Sequence, residues 1–335
     1  MKALVTGAAG FLGQYIVEQL VARGDQVRGQ VRRAAPELER LGVELVNCDV
    51  RNADAMIAAC QGVDVVFHTA AVAGIWGSWD HYYGINTLGT RNVLAGCRQH
   101  GVGRLVYTSS PSVTFDGSDQ CNVDETAPYP SLWLADYPRS KALAEQEVLA
   151  AYGRQGLLAC SLRPHLIWGP RDRHLVPRLV ERARAGQLRR VGRGQNLIDM
   201  VYVENAAEAH LLAADRLVLG SPVAGRAYFI TQGEPVNCWQ WIDELLALAG
   251  LPPVKRSVPL PLAYAAGAVC EVLYTVLRRS DEPRMTRFLA AQLGRDHYFD
   301  ISRARRDFGY EPRISTVEGM RRLGESWARP AAVDG

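Results

Sequence analysis

The sequence predicts an α/β protein: a Rossmann-type doubly wound parallel sheet with a smaller, mostly helical C-terminal substrate domain. Three observations predict it. Apolar strand-like runs alternate with helical runs at βαβ spacing through the strand at Leu157–Leu162. A glycine turn, Gly7-Ala8-Ala9-Gly10-Phe11-Leu12-Gly13, separates the first strand from the first helix. From Arg171 the character changes to basic and apolar helical stretches with few strands. The expected division is 1–170 for nucleotide, with 197–232 returning to it, and 171–196 plus 233–330 for substrate.

Composition bounds the reading. The 335 residues are 48% hydrophobic, enough for one large domain or two unequal ones. A net charge of +3 gives no argument for nucleic acid, whereas a pI near 8.5 is compatible with anionic ligands. The seven cysteines have no paired or metal-like spacing, and nothing clusters ligands, so no metal is expected. Met1-Lys2 runs straight into an apolar strand, unlike an export signal; the expected location is cytoplasmic, with reduced thiols.

In chain order, Ala3–Thr6 reads as a buried strand and Gln14–Arg23 as a helix ending at Gly24. Gly7 permits the tight turn, Gly10 lets backbone approach a pyrophosphate, and Gly13 lets helix and strand pack closely. The helix then presents free N–H groups to phosphates. Gln26–Arg32 is the second strand. Where an acidic residue would grip the ribose hydroxyls of NAD, the chain carries Arg32 and Arg33, which suit the 2′-phosphate of NADP. The expectation is NADP(H) in preference to NAD(H).

A third strand, Val43–Asn47, leads to Asp49-Val50. A fourth, Val63–His68, ends in Thr69-Ala70-Ala71, small enough to pass beside a cofactor. The loop Gly74-Ile75-Trp76-Gly77-Ser78-Trp79 places aromatics at a strand's carboxyl end; a substrate wall, an interface and a core position all fit it. Asn86–His100 reads as a helix and Gly103–Thr108 as the fifth strand, with Ser109-Ser110-Pro111-Ser112-Val113 at the ligand-binding edge. Residues 115–136 read as a long active-site loop. Helices are expected at 176–185 and 239–249, a strand-then-helix at 199–210, and a strand at 227–231. Residues 258–277 are apolar but interrupted by Pro259, Pro261, Gly267 and Glu271. They are expected to form an apolar helix of the substrate pocket, available to a membrane surface or a partner.

Tyr137-Pro138-Arg139-Ser140-Lys141 opens a helix expected over 140–152. The four-residue spacing puts both side chains on one face, and a nearby ammonium lowers a phenol's pKa from about 10. Such a pair can move a proton near neutral pH.

These segments together resemble the extended short-chain dehydrogenase/reductase family. The resemblance rests on Thr6–Gly13, Asp49-Val50, His68–Ala71, Tyr107-Thr108-Ser109-Ser110, Tyr137–Lys141, Arg163-Pro164, Trp168-Gly169-Pro170, Phe299–Ala304 and Phe308–Pro312, in order. Tyr107–Ser110 and 258–277 resemble its 3β-hydroxysteroid dehydrogenase branch. Gly74–Ser78, Leu175–Leu179 and Arg284–Leu289 resemble a bacterial member that reduces 2-alkyl-3-oxoalkanoates in olefin biosynthesis.

The resemblance implies a reversible ketone reductase. Ser110, three before Val113, would orient the carbonyl, Tyr137 would be the general acid, and Lys141 would tune it and bind the nicotinamide ribose. Gly7, Gly10, Phe11, Leu12 and Gly13 would hold the pyrophosphate. Arg32, Arg33, Asp49 and Val50 would flank the adenosine; Thr69, Ala70, Ala71 and Pro164 would line the cofactor, and Trp76, Trp79, Ser112 and Trp168 the apolar substrate. A homodimer through the helices at 86–100 and 140–152 is also implied. A 3β-hydroxysteroid or sterol-4-carboxylate dehydrogenase, a sugar-nucleotide epimerase or dehydratase, and a non-catalytic nucleotide sensor are the alternatives.

Overall fold

The structure, a computed structural model, describes residues 1–279 and 281–328; the last two residues of the expected 233–330 unit lie outside the described residues. Strands β1 (Lys2–Thr6), β2 (Gln26–Val31), β3 (Glu44–Asn47) and β4 (Val65–His68) alternate with helices α1 (Phe11–Ala22), α2 (Pro36–Glu39) and α3 (Ala53–Ala59). The four β4 residues are all buried, as parallel strands covered on both faces must be.

Next come α4 (Trp79–Tyr82), a π-helical turn over Tyr83–Leu88, and α5 (Gly89–His100), in one continuous run. The run begins at Trp79 rather than the expected Asn86, because the Ser78 side chain caps it by accepting from the His81 amide. The π turn faces Asn86 and Thr87 to the following helix: Asn86 Nδ2 donates to Ser140 Oγ at 2.9 Å, and Thr87 Oγ1 to the Ser140 carbonyl at 2.9 Å.

Strands β5 (Arg104–Thr108), β6 (Gln120–Val123) and β7 (Leu158–Pro164) flank helix α6 (Asp136–Ala151). The helix starts at Asp136, four residues before the expected Ser140, so Tyr137 lies in its first turn. Residues 115–136 are not wholly loop, since β6 pairs with a strand near the C-terminus. Short strands β8 (Ile167–Trp168), β9 (Arg190–Val191), β10 (Leu197–Ile198) and β11 (Val201–Tyr202) follow, with α7 (Leu175–Arg184) and α8 (Val203–Arg216). The chain closes with β12 (Ala227–Ile230), β13 (Val236–Asn237), α9 (Cys238–Leu248), β14 (Ser257–Val258), α10 (Leu260–Val276), α11 (Arg287–Gly294), β15 (His297–Phe299), α12 (Ser302–Phe308) and α13 (Thr316–Ala328).

The main sheet is parallel and seven-stranded, in the order β12-β7-β5-β4-β1-β2-β3. A four-stranded sheet, β13-β10-β15-β6, stands beside it, with Gln120 opposite His297. Apolar clusters fill the two faces of the main sheet, and a third surrounds Trp168, Trp239 and Trp241. Trp168 is a correction to the expected substrate wall. It is fully buried, with Trp241 at 5.3 Å and Tyr202 at 5.4 Å between ring centroids, because pairing of β8 with β11 folds it under α9.

A buried ion pair ties α6 to the sheet. Glu145 and Arg163 are 0% and 3% exposed, and Arg163 Nη2 donates to Glu145 Oε1 at 2.6 Å. Ser161 and Tyr129 hydroxyls donate to the same carboxylate, each at 2.7 Å. Burial pushes the Glu145 carboxyl up, but the Arg163 charge and these hydrogen bonds outweigh it and hold it below its ordinary value.

Candidate active site

The glycine turn sits at the carboxyl end of β1. Gly7 has φ +66°, and a Cβ there would stand 2.9 Å from Ala70 Cα. A Cβ on Gly13 would come within 2.2 Å of the Gly7 carbonyl oxygen. Only bare glycines let helix, turn and β4 close up this far. The turn is held from behind by Gln30, whose Oε1 accepts from the Gly7 amide at 2.9 Å and whose Nε2 donates to the Cys48 carbonyl. Gln30 escapes the sequence reading; an amide within an otherwise apolar strand end is the signal that marks it.

Helix α1 begins at Gly10 without a side-chain cap, so its first N–H groups point free from the turn. Phe11 and Leu12 supply two of them. Thr69 and Ala70 are tied alongside: Thr69 Oγ1 donates to the Thr6 carbonyl at 2.7 Å, and the Ala70 amide to Thr6 Oγ1 at 3.2 Å. Ala71 follows them, exposed. His68 is a structural tie, hydrogen-bonded to Thr6 at 2.7 Å and Thr90 at 2.9 Å. Burial, with the charge of Lys141, pushes it down to about 3, so it is neutral.

Arg32 and Arg33 follow β2, exposed, and neither forms an ion pair among the described residues. Asp49 is gripped by Arg51 through two side-chain bonds of 2.9 Å, which hold its carboxyl at about 2; the charge of Arg32 acts in the same direction. Val50 is buried beside it, and Pro164 ends β7 opposite Ile230.

Ser110, Tyr137 and Lys141 converge at the carboxyl end of β5. Ser110 caps the 3₁₀ turn Pro111–Thr114, with its hydroxyl 2.8 Å from that of Ser112. Burial raises the Tyr137 phenol, and a hydrogen bond with Ser110 pulls it back. Lys141 is buried. Its Nζ donates to the Thr108 carbonyl at 2.6 Å and lies 4.2 Å from the Tyr107 ring centroid. Burial pushes the amine down to about 7, against the pull of Glu145.

Tyr82, another residue the sequence reading misses, packs 6.2 Å from Tyr137 between ring centroids and donates to the Trp76 carbonyl at 3.0 Å. Trp76 meets Tyr274 of α10 at 6.0 Å, and its Nε1 donates to the Arg279 carbonyl at 3.2 Å. Trp79 stacks on Tyr83 at 5.1 Å beneath Arg139, at the start of α4. Trp76 and Ser112 thus stand around Tyr137 and Ser110, and Trp168 does not.

The uncapped helix start, the close-packed glycines and the unpaired Arg32 and Arg33 form a cradle of donors and cations that fits a dinucleotide diphosphate and an adenosine phosphate. Tyr137 and Lys141 lie at the same sheet edge. Fold and site together define an NAD(P)-dependent oxidoreductase of the extended short-chain dehydrogenase/reductase class, acting on hydroxyl and keto groups.

The model of the 3-beta hydroxysteroid dehydrogenase/isomerase family matches residues 4–262, and the chain belongs to that family. It is 49% identical over 331 residues to the 2-alkyl-3-oxoalkanoate reductase of Stenotrophomonas maltophilia (strain K279a), covering 98% of this chain and 100% of that one. It is 36% identical to 3beta-hydroxysteroid-dehydrogenase/decarboxylase isoform 1 of Arabidopsis thaliana, over 97% of this chain and 79% of that one. Among solved structures, the UDP-glucose 4-epimerase of Thermus thermophilus in complex with NAD superposes with a TM-score of 0.73 at 26% identity, covering 99% of this chain and 100% of that one.

Proposed function

We propose that the protein is an NADPH-dependent reductase that converts 2-alkyl-3-oxoalkanoates with long chains to 2-alkyl-3-hydroxyalkanoates. The observation that carries the reading is the convergence of Ser110, Tyr137 and Lys141 beside the glycine turn, in a chain 49% identical to a reductase of that name. When bound, the reduced nicotinamide supplies the hydride. The Tyr137 hydroxyl then donates a proton to the carbonyl oxygen, which accepts a second hydrogen bond from Ser110. Lys141, one helical turn on and anchored by the Thr108 carbonyl, binds the nicotinamide ribose and favours the phenolate left on Tyr137. Tyr82 and Trp76 form the apolar side on which the chains of the substrate rest.

Arg32 and Arg33 bind the adenosine 2′-phosphate, and the absence of a carboxylate at this strand end favours NADPH over NADH. Residues 1–170 with 197–232 carry the nucleotide, supported by the return of β12 to the main sheet; 171–196 and 233–330 carry the substrate.

A second reading, a 3β-hydroxysteroid or sterol-4-carboxylate dehydrogenase, is favoured by the matching family and by the Arabidopsis relative. Cofactor oxidation measured with long-chain 2-alkyl-3-oxo acids and 3-oxosteroids, each with NADPH and NADH, separates the two. Turnover of the oxo acids with NADPH is expected; turnover of the steroids alone would overturn the proposal.

A further inference from the structure

Helix α10 presents an apolar stripe to solvent. Leu262, Val269, Val272 and Val276 are 60%, 59%, 62% and 73% exposed, and Leu273 and Leu277 are exposed beside them. Their spacing of three, four and seven residues places them on one face about 21 Å long. A solvated helix face ordinarily carries charge; this one carries none. Glu271, the only acid of the helix, is turned inward, where its carboxylate accepts from the Arg287 amide at 2.6 Å and from its Nε at 2.7 Å. The opposite face is committed to packing. A Cβ on Gly267 would stand 2.5 Å from the backbone of Thr286.

The rim of the stripe is basic. Lys255 and Arg256 stand exposed before the helix, and Arg278 and Arg279 after it. Residues 255–287 contain six Lys and Arg against three Asp and Glu, a net +3 that equals the formal charge of the whole chain. Two of those three carboxylates are spent on arginines of the same segment, Glu271 on Arg287 and Asp281 on Arg279. Trp76 and Tyr274 meet at the C-terminal end of the stripe, amphipathic rings of the kind that settle at a lipid–water boundary.

We propose that the outer face of α10 docks on the surface of an anionic lipid bilayer, with Leu262, Val269, Val272 and Val276 at the acyl boundary and the flanking cations on the headgroups. Length and apolarity suit a helix lying in the interface; no helix among the described residues is long and apolar enough to cross a membrane. A second copy would set its own basic rim against this one, whereas an anionic bilayer provides counter-charge and an acyl boundary for the uncharged stripe together. Through Trp76, whose carbonyl receives the Tyr82 hydroxyl, the docked helix touches the loop beside Tyr137, so the cleft stands next to the membrane. The inference does not depend on which ketone is reduced.

The test is co-sedimentation of the full chain with vesicles of phosphatidylglycerol and phosphatidylcholine, beside pure phosphatidylcholine vesicles, with sedimentation velocity on the same samples. The wild type is expected to pellet with the anionic vesicles. Val272→Glu combined with Val269→Glu, both at exposed positions, should abolish pelleting while the melting temperature stays at the wild-type value. Each of Lys255→Ala and Arg278→Ala should lower partitioning about five-fold, the equivalent of about 1 kcal/mol per surface cation. Failure of the wild type to pellet, or equal pelleting of the double variant, overturns the proposal. Loss of a dimer in the double variant also overturns it, by assigning the stripe to a second copy.

Discussion

Glu145→Gln keeps the shape of a buried side chain and removes its charge. Glu145 accepts five hydrogen bonds from Arg163, Ser161 and Tyr129, and is fully enclosed. The amide cannot accept at both ends, and Arg163, 3% exposed, loses its ion-pair partner. Removing one partner of such a pair costs about 3–5 kcal/mol. At about 2.1 cal/mol/K per residue, the 335-residue chain has an unfolding entropy near 0.7 kcal/mol/K, so the melting temperature should fall by roughly 4–7 °C. Differential scanning calorimetry of the variant and of Glu145→Gln/Arg163→Met measures this. The double variant should melt above the single one, because the stranded cation is gone. A single variant melting within about 1 °C of wild type would refute the reasoning and give the pair the worth of a surface contact.

Arg32→Ala should weaken NADPH binding by about ten- to a hundred-fold, from about 1.5–3 kcal/mol per charge-assisted bond, with NADH binding almost unchanged by isothermal titration. Gly13→Ala should destabilise the protein by about 1–3 kcal/mol and remove dinucleotide binding, because its Cβ would enter the Gly7 carbonyl at 2.2 Å; a variant that still binds would show that the turn can give way. Lys141 has its pKa pushed from 10.5 to about 7 by burial, so the unfolded chain holds this proton at pH values where the folded one has lost it. Wild-type stability relative to Lys141→Met should therefore rise with pH between about 7 and 10.5, at up to about 1.4 kcal/mol per pH unit. A flat difference in chemical denaturation would mean that the ammonium is not desolvated.

The sheet was legible because most of its strands are local signals: β1, β4 and β5 are short apolar runs bounded by turns, and the glycine turn fixes where the helix starts. The Tyr137–Lys141 pair was visible as a helical spacing, and its expected role came from the ordered segments around it rather than from that spacing. What escaped depends on partners far along the chain. Strand β6 forms because Gln120 finds His297. Trp168 looks like a pocket aromatic until β11 and Trp241 close over it. Asn86 and Gln30 act by holding α6 and the glycine turn, roles that appear only when Ser140 and Cys48 are beside them. The apolarity of α10 was plain, with a pocket role and a surface open to a membrane or partner both expected; the structure turns most of its large apolar residues outward, and its Tyr274 meets Trp76 of the site loop.

The most direct test of the central claim is single-turnover reduction of a long-chain 2-alkyl-3-oxo acid by the NADPH-loaded wild type and by Tyr137→Phe, with NADPH affinity measured alongside. Loss of the phenolic proton donor should slow reduction by about 10²–10⁴-fold while NADPH affinity stays nearly intact. Reduction at the wild-type rate by the variant would contradict the assignment of Tyr137 as the proton donor and, with it, the proposed reductase site.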